Sequence, residues 1–189
     1  MTAYGIHVYD FKIKKFTMHF ILLIMTIPTQ VSAVGFINLI RTFGMMNTYW
    51  GLIIPAIAAP SVFFYMKQYM ESSMPLEVIE AARVDGSNEF RTFNLIALPM
   101  LKPAMAVQLI FAFVASWNNF FMPAMLLSNS KKWTVPIMIS VLRANLNSRT
   151  GDLGEVYMML LLSIIPVVIV YFFISKNIVQ GVALGAVKG

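Results

Sequence analysis

The chain of 189 residues contains no cysteine and few charged residues. Without cysteine, disulfide bonds, thiolate chemistry and cysteine-based metal sites are all excluded. Charged residues make up 12% of the chain, which is about half of their share in a typical soluble domain. Hydrophobic residues make up 59%, and the mean hydropathy is +0.75. These values place the chain among integral membrane proteins.

Further absences narrow the function. The sequence has no phosphate-binding G-x-x-x-x-G-K-[ST] loop, so the chain is not expected to bind ATP or to be an enzyme. His7 and His19 are isolated and are interpreted as packing or interfacial residues, so we expect no metal site. The net charge of +6 is interpreted as basic loops at a membrane surface rather than as a nucleic-acid interface.

Four long runs lack Asp, Glu, Lys and Arg, and they lie at 16–40, 42–66, 103–130 and 156–175. A bilayer core requires about 20 apolar residues in a helix, so each run is long enough to cross. We therefore predict membrane helices near 16–38, 50–68, 104–127 and 156–176. Prolines in or near these runs are interpreted as kinks, with hinges as the functional alternative: Pro28, Pro55, Pro60, Pro123 and Pro166. Acidic residues in the spans would be expected of an ion-coupled carrier, and their absence argues against one.

The basic residues predict an orientation. With both termini in the cytoplasm, nine Lys and Arg residues lie inside and five outside, as the positive-inside rule favours. The first fifteen residues are expected to be a cytoplasmic loop and not a signal peptide. The segment 133–142 is too short to span and is expected to be a re-entrant or surface helix on the outer side.

A polar stretch lies between the second and third predicted spans and reads EAARVDGSNEFRTFNLIALP. Its spacing of Glu-Ala-Ala, a glycine and Ile-x-Leu-Pro resembles the EAA loop of permease subunits in ATP-binding-cassette (ABC) importers. The resemblance implies that residues 69–102, here called the EAA loop, couple the chain to a separate ATPase. It implies coupling roles for a set of residues in this loop: Glu80, Ala81, Ala82, Arg83, Asp85, Gly86, Ile96, Leu98 and Pro99.

The loop also has a local physical interpretation. Pro75 suits the first turn of a helix, and Leu76–Asp85 is predicted to form that helix. Gly86 is expected to end it with a positive φ, and Ser87 is expected to cap a second helix. Pro99 is expected to end or bend that second helix. Two further expectations are a pairing of Glu80 with Arg83, and close approach of a partner at Ala81 and Ala82. The alternative is an ordinary amphipathic helix at the membrane surface.

Other segments extend the resemblance over nearly the whole chain. Residues 44–48 resemble the LGL-x-NT segment of carbohydrate permeases, and residues 117–118 resemble their WN pair. Residues 134–136 resemble their TLP segment, and residues 181–189 resemble their C-terminal G-x-x-x-GAVKG segment. The similarity is to the second permease of maltose-type systems. Asn119 departs from the acidic residue that is frequent there. Such permeases usually have six spans, so we expect the two N-terminal helices to be absent through truncation, a late start or fragmentation.

The resemblance implies an all-α integral membrane protein with the MetI-like ABC permease fold, four spans of the usual six, and one permease domain over 1–189. The implied partners are a cytoplasmic ATPase dimer that binds the ATP, a second permease, an extracytoplasmic solute-binding protein and lipid. The membrane would be a bacterial or archaeal plasma membrane. The implied function is import of a sugar or sugar-like solute. Alternatives are a non-transporting remnant or scaffold, an ion-coupled carrier, and a permease for another solute. Candidates for the solute pathway are Gln30, Asn38, Trp117, Asn118 and Asn119, which could equally bind neighbouring helices.

Overall fold

A computed structural model describes residues 1–147 and 151–186, and within helices it gives no side-chain detail for residue 147 or for residues 174–186. Helices account for the regular structure of the described residues: α1 (Thr2–Val8), α2 (Lys14–Thr26), α3 (Thr29–Thr42), α4 (Trp50–Ala56), α5 (Pro60–Ser73), α6 (Leu76–Val84), α7 (Glu89–Thr92), a π-helix (Phe93–Ala97), α8 (Leu98–Met100), α9 (Lys102–Trp117), α10 (Phe121–Leu126), a 3₁₀ turn (Ser130–Lys132), α11 (Val135–Asn147) and α12 (Leu153–Ala186).

Two helical segments among the described residues are long and apolar enough to cross a membrane. One is Trp50–Ser73, which comprises α4 and α5, and the other is Leu153–Phe173 of α12. Counting each of two bent pairs as one span, α2 with α3 and Glu89–Met100 with α9, brings the number to four. The all-α fold with up to four spans is therefore confirmed for the described residues.

Two breaks in the predicted spans have a proline at their end. Ile27 and Ala59 are extended, with ψ of 119° and 109°, and each precedes a proline. Pro28 is the N-cap residue of α3, and Pro60 is the first residue of α5. The ring of a proline clashes with a helical residue before it, so the chain is extended there. Pro55 and Pro166 lie inside α4 and α12. The predicted span at 104–127 is divided as well, into α9 and α10.

The first compact unit comprises Met1–Ile27 and Ala59–Leu109, together with the end of α12. Its core contains Ala3, Tyr4, Met70, Met74, Ile79, Ala97 and Leu101. The N-terminal segment contains a short helix that the sequence analysis did not predict, and its position in the cytoplasm stays a prediction. It begins with helix α1, whose residues Ala3, Tyr4 and Ile6 are buried because they recur on one helix face.

The second compact unit comprises Pro28–Ala58 and Ile110–Ile174. Its core joins Ile40 of α3 to Leu126 and Leu127 at the end of α10. Asn47, with a φ of 55°, connects these elements. Its N–H donates to the Leu126 carbonyl at 2.9 Å, and its Oδ1 accepts from the Asn129 N–H at 3.1 Å.

Asn47 also accepts through its carbonyl oxygen, from Lys132 Nζ at 2.6 Å. The asparagine of the NT segment therefore fixes the turn that follows α10. Asparagine suits this place because its short polar side chain tolerates the left-handed region. The predicted short helix after residue 133 is α11, which is apolar but shorter than a span.

Candidate coupling site in the EAA loop

Helix α6 shows one face to the core and one to the surroundings. Ile79 and Ala82 are buried, with exposed fractions of 0% and 6%. Glu80 and Ala81 are exposed. Pro75 lies just outside the helix as its N-cap residue, one position before the expected first turn. The two alanines of the motif therefore differ, since Ala81 is available to a partner whereas Ala82 packs inside.

The turn after α6 is fixed by backbone hydrogen bonds. The Gly86 N–H donates to the Arg83 carbonyl at 3.0 Å, and the Ser87 N–H donates to the Ala82 carbonyl at 2.9 Å. These two bonds form a Schellman motif, in which the residue after the C-cap is left-handed. Asp85 is the exposed C-cap, and Gly86 has a φ of +78°. The expected positive φ at Gly86 is confirmed.

The cap of α7 differs from the expectation by one residue. Asn88, and not Ser87, is the N-cap, and its Oδ1 accepts from the Arg91 N–H at 2.9 Å. Ser87 instead accepts a hydrogen bond from the buried Thr92 hydroxyl at 2.9 Å. The Schellman motif uses Ser87 as its last residue, which places the next residue, Asn88, at the start of α7.

Arg83 pairs with Glu89 and not with Glu80, which corrects the expected pairing. Arg83 Nε donates to Glu89 Oε1 at 2.8 Å, across the turn. The Tyr9 hydroxyl donates to the other oxygen of the same carboxylate, Oε2. The Arg83 guanidinium also lies 5.4 Å from the centroid of the Tyr9 ring. The three side chains form one contact, here called the Tyr9–Glu89–Arg83 contact.

Electrostatics in this contact follow its hydrogen bonds. The bond from Arg83, followed by that from Tyr9, lowers the pKa of the Glu89 carboxyl below its usual value. The bond to Glu89 raises the pKa of the Tyr9 hydroxyl. Both shifts favour a charged carboxylate that accepts from a neutral phenol, because hydrogen bonding to the charged form stabilises it.

The Ile-x-Leu-Pro segment begins in the π-helix. The Leu98 N–H donates to the Phe93 carbonyl, five residues earlier, which is the π pattern. Ile96 packs against the core of the unit, Leu98 is half-buried and Pro99 is exposed. Pro99 has no N–H to donate to the helix. π turns in helices frequently occur at functional sites. The helical direction then changes by 71° between Glu89–Met100 and α9, close to the expected position.

Large apolar side chains project from the loop. Val84, Phe90 and Leu95 are 88%, 73% and 63% exposed. Large exposed apolar side chains are typical of a protein or membrane interface.

Three of the five candidate solute-pathway residues, Trp117, Asn118 and Asn119, are consecutive in the chain. Among the described residues, no hydrogen bond of Gln30, Asn38, Trp117, Asn118 or Asn119 reaches another member of the set. The indole Nε1 of Trp117 donates to the Ser163 carbonyl in α12 at 3.0 Å. Gln30, Asn38 and Asn118 are exposed, and Asn119 is partly buried. Trp117 therefore binds α12 through its indole, and the solute role of all five residues stays a prediction.

Sequence reasoning missed the N-terminal contributors to this site. Tyr4 contacts Phe93 edge-on with ring centroids 5.0 Å apart, and His7 Nε2 lies 3.0 Å from the Met74 carbonyl oxygen. Two tyrosines and a histidine within the first nine residues were the available signal. The resembling segment at the other end, 181–189, falls partly outside the described residues, which stop at 186.

Comparison with known proteins identifies the class of this fold. Residues 2–184 match the family described as "Binding-protein-dependent transport system inner membrane component", and the chain belongs to this family. It is a family of transport components and not of enzymes. Membership also agrees with the helices that can span a membrane.

Two relatives carry named transport roles. The chain is 34% identical to the arabinooligosaccharides transport system permease protein AraQ of Halalkalibacterium halodurans, over 100% of this chain and 66% of AraQ. It is 30% identical to the maltodextrin transport system permease protein MdxG of Bacillus subtilis, over 100% of this chain and 68% of MdxG. The chain thus spans about two thirds of the length of these relatives.

A solved structure has the same fold. A chain in the crystal structure of a bacterial ABC transporter that imports the acidic polysaccharide alginate matches with a TM-score of 0.78. The match covers 93% of this chain and 65% of that chain, at 22% sequence identity. The permease fold expected from the sequence is confirmed.

Proposed function

We propose that this chain is the membrane-spanning subunit of an ABC importer and passes a sugar or sugar-like solute into the cytoplasm. The observation that carries the proposal is the geometry of the EAA loop. A Schellman turn at Gly86 joins two helices of the loop. Glu80 and Ala81 are exposed, and Val84 and Phe90 are exposed apolar side chains of the same loop. A hydrogen-bonded turn that carries exposed apolar side chains is suited to receive a partner and to transmit its motion.

The partner in this proposal is a dimer of cytoplasmic ATPases, which binds the ATP. A second permease completes the membrane pathway, and an extracytoplasmic binding protein delivers the solute. ATP binding closes the ATPases, the EAA loop moves with them, and the spans change from inward-open to outward-open. The relatives named for arabino-oligosaccharide and maltodextrin transport support a carbohydrate as the solute.

Uptake by a reconstituted complex tests the proposal. The polypeptide would be placed in proteoliposomes with a candidate ATPase, second permease and binding protein from the same organism, and labelled solutes would be supplied outside. We expect ATP-dependent uptake of an arabino-oligosaccharide or a maltodextrin and no uptake of a labelled amino acid. Uptake of the amino acid alone would refute the carbohydrate assignment. Absence of ATP-dependent uptake of every solute would refute the transport role.

The docking surface has its own test. Phe90→Asp places a charge on the exposed apolar surface and should reduce copurification of the ATPase about tenfold or more, because an apolar interface residue is replaced by an unpaired charge. The control is Glu77→Asp, which keeps a carboxylate on the same loop. Phe111→Asp would not serve as a control because Phe111 lies within the predicted span 104–127. Equal copurification by the Phe90 variant and the control would exclude this surface as the ATPase site.

A further inference from the structure

Tyr9 links the N-terminal segment to the EAA loop through a single carboxylate. Glu89 uses Oε1 to accept from Arg83 in the last turn of α6 and Oε2 to accept from Tyr9, which directly follows α1. Glu89 itself lies in the first turn of α7. Three elements of one compact unit, separated by up to 80 residues in sequence, therefore meet at one side chain.

Tyr9 is held in place by the helix before it. Tyr4 is 5% exposed and packs its ring against Phe93 of the π-helix and, at 6.3 Å between centroids, against Tyr9. His7 Nε2 contacts the Met74 carbonyl oxygen at 3.0 Å, at the start of the loop. The end of α1 is thus attached to the EAA loop at Phe93 and Met74 as well as at Glu89.

The Tyr9–Glu89–Arg83 contact adds little to the free energy of unfolding. Its importance lies in the directions in which it holds its side chains. Exposed ion pairs contribute about 0–1 kcal/mol, and the Arg83 and Glu89 side chains are 36% and 49% exposed. A bridging carboxylate, however, fixes the direction of both partners, because charge-assisted hydrogen bonds are short and directional. The Arg83 guanidinium over the Tyr9 ring restricts the same pair further.

The position of Tyr9 in the chain gives this attachment a consequence. Five residues after Tyr9, at Lys14, α2 begins, and α2 forms half of a candidate span. Motion of the EAA loop has an obvious route into the membrane through α9, which follows the loop directly. The Tyr9–Glu89–Arg83 contact provides a second route, from the turn at Gly86 to the segment that leads into α2.

We propose that Tyr9 is a positioning residue that holds the EAA loop to the segment entering α2, so that the two move together when the loop is driven. The inference rests on the proposed function for its coupling consequence, whereas the attachment itself can be measured without transport. Nothing about Tyr9 in this role requires contact with the solute or the ATPase.

The test removes one hydroxyl group. Tyr9→Phe keeps the ring that contacts Tyr4 and Arg83 and deletes the donor to Glu89. Tyr65→Phe, in α5 of the same unit, is the matched control because its hydroxyl makes no hydrogen bond among the described residues. Spin labels on cysteines at Lys12 and Glu77 report the distance between the two attached segments, and the chain has no native cysteine to interfere.

In the assembled complex, we expect Tyr9→Phe to broaden the Lys12–Glu77 distance distribution about twofold and to lower solute imported per ATP hydrolysed severalfold. Tyr65→Phe should leave both unchanged. The Tyr9→Phe effect should also vanish in a Glu89→Ala background, because the acceptor is already absent. A merely hydrophobic role for Tyr9 would not depend on Glu89.

Three results would overturn the inference: a Tyr9→Phe distribution as narrow as that of the control, an unchanged coupling ratio, or an effect that persists without Glu89. If the wild-type complex imports nothing, the proposed function fails, and the distance distributions still decide whether Tyr9 holds the two segments together. The two failures are therefore distinguishable.

Discussion

Replacing Gly86 with valine is the most direct test of coupling through the EAA loop. Gly86 has a φ of +78°, and an added Cβ would have no heavy atom within 4 Å. The cost of the substitution therefore lies in the backbone and not in a clash. A non-glycine residue held in the left-handed region costs about 1–3 kcal/mol, and valine, which is β-branched, belongs at the upper end.

This cost can be converted into a population. Since 1.4 kcal/mol corresponds to a factor of ten, about 1–3 kcal/mol shifts the equilibrium away from the Schellman turn by about 5- to 150-fold. When the turn relaxes, the hydrogen bonds to the Ala82 and Arg83 carbonyls are lost and α6 points elsewhere. We therefore expect Gly86→Val to abolish ATP-dependent solute uptake while membrane insertion and expression remain normal.

Two variants provide the controls. Gly86→Asn should retain most of the uptake, because asparagine tolerates the left-handed region. Gly35→Val adds the same side chain in open space within α3, at a glycine without a positive φ, and should leave coupling intact. The assay compares uptake with ATP hydrolysis in proteoliposomes. Wild-type uptake by Gly86→Val, or an equal loss in Gly35→Val, would refute the reasoning.

The remaining predictions concern topology, capping and charge. Cysteines at Glu77 and Lys131 should lie on opposite sides of the membrane, so an impermeant thiol reagent outside intact cells should label only the second; labelling of both would contradict the orientation. Asn88→Ala should cost about 1 kcal/mol and speed amide hydrogen exchange in the first turn of α7 about fivefold, whereas Asn88→Ser should not. Because the pKa of the Glu89 carboxyl is lowered, its stabilising contribution is present above the usual pKa and is lost as pH falls through the lowered one. Carbon-13 NMR of labelled glutamate should show this pKa rise toward its usual value in Arg83→Gln, and an unchanged pKa would exclude Arg83 as the main cause.

Local rules predicted a large part of the EAA loop. The positive φ at Gly86 follows from the preference of the position after a helix for glycine, which depends on neighbouring residues alone. The helix predicted over 76–85 is observed over Leu76–Val84, and the bend near Pro99 was predicted for the same reason. The prediction placed the cap of α7 at Ser87 instead of Asn88, because the extent of the preceding turn decides which of two adjacent capping residues is used.

The membrane spans likewise combine features that the sequence predicted with features that only the structure shows. Length and composition predicted four apolar segments, because a bilayer imposes a minimum run on any helix that crosses it. Their interruptions at Ile27 and Ala59 follow from the prolines that come next, a local effect that the sequence contains. The interruption after Trp117 is not followed directly by a proline, although Asn118 and Asn119 favour caps and turns, and the structure places the break there.

By itself, the sequence determined the membrane class, the helical fold, the family resemblance and the turn at Gly86, because each depends on composition or on residues close together in the chain. Only the tertiary structure decided that α1 packs against the EAA loop and that Arg83 forms its ion pair with Glu89 rather than with Glu80. Both acidic residues lie within reach of Arg83 in sequence, and the turn brings Glu89 to it. Tyr9 is 80 residues from Glu89, so no local pattern could pair them. The packing of Tyr4 against Phe93 places the Tyr9 hydroxyl at the Glu89 carboxylate.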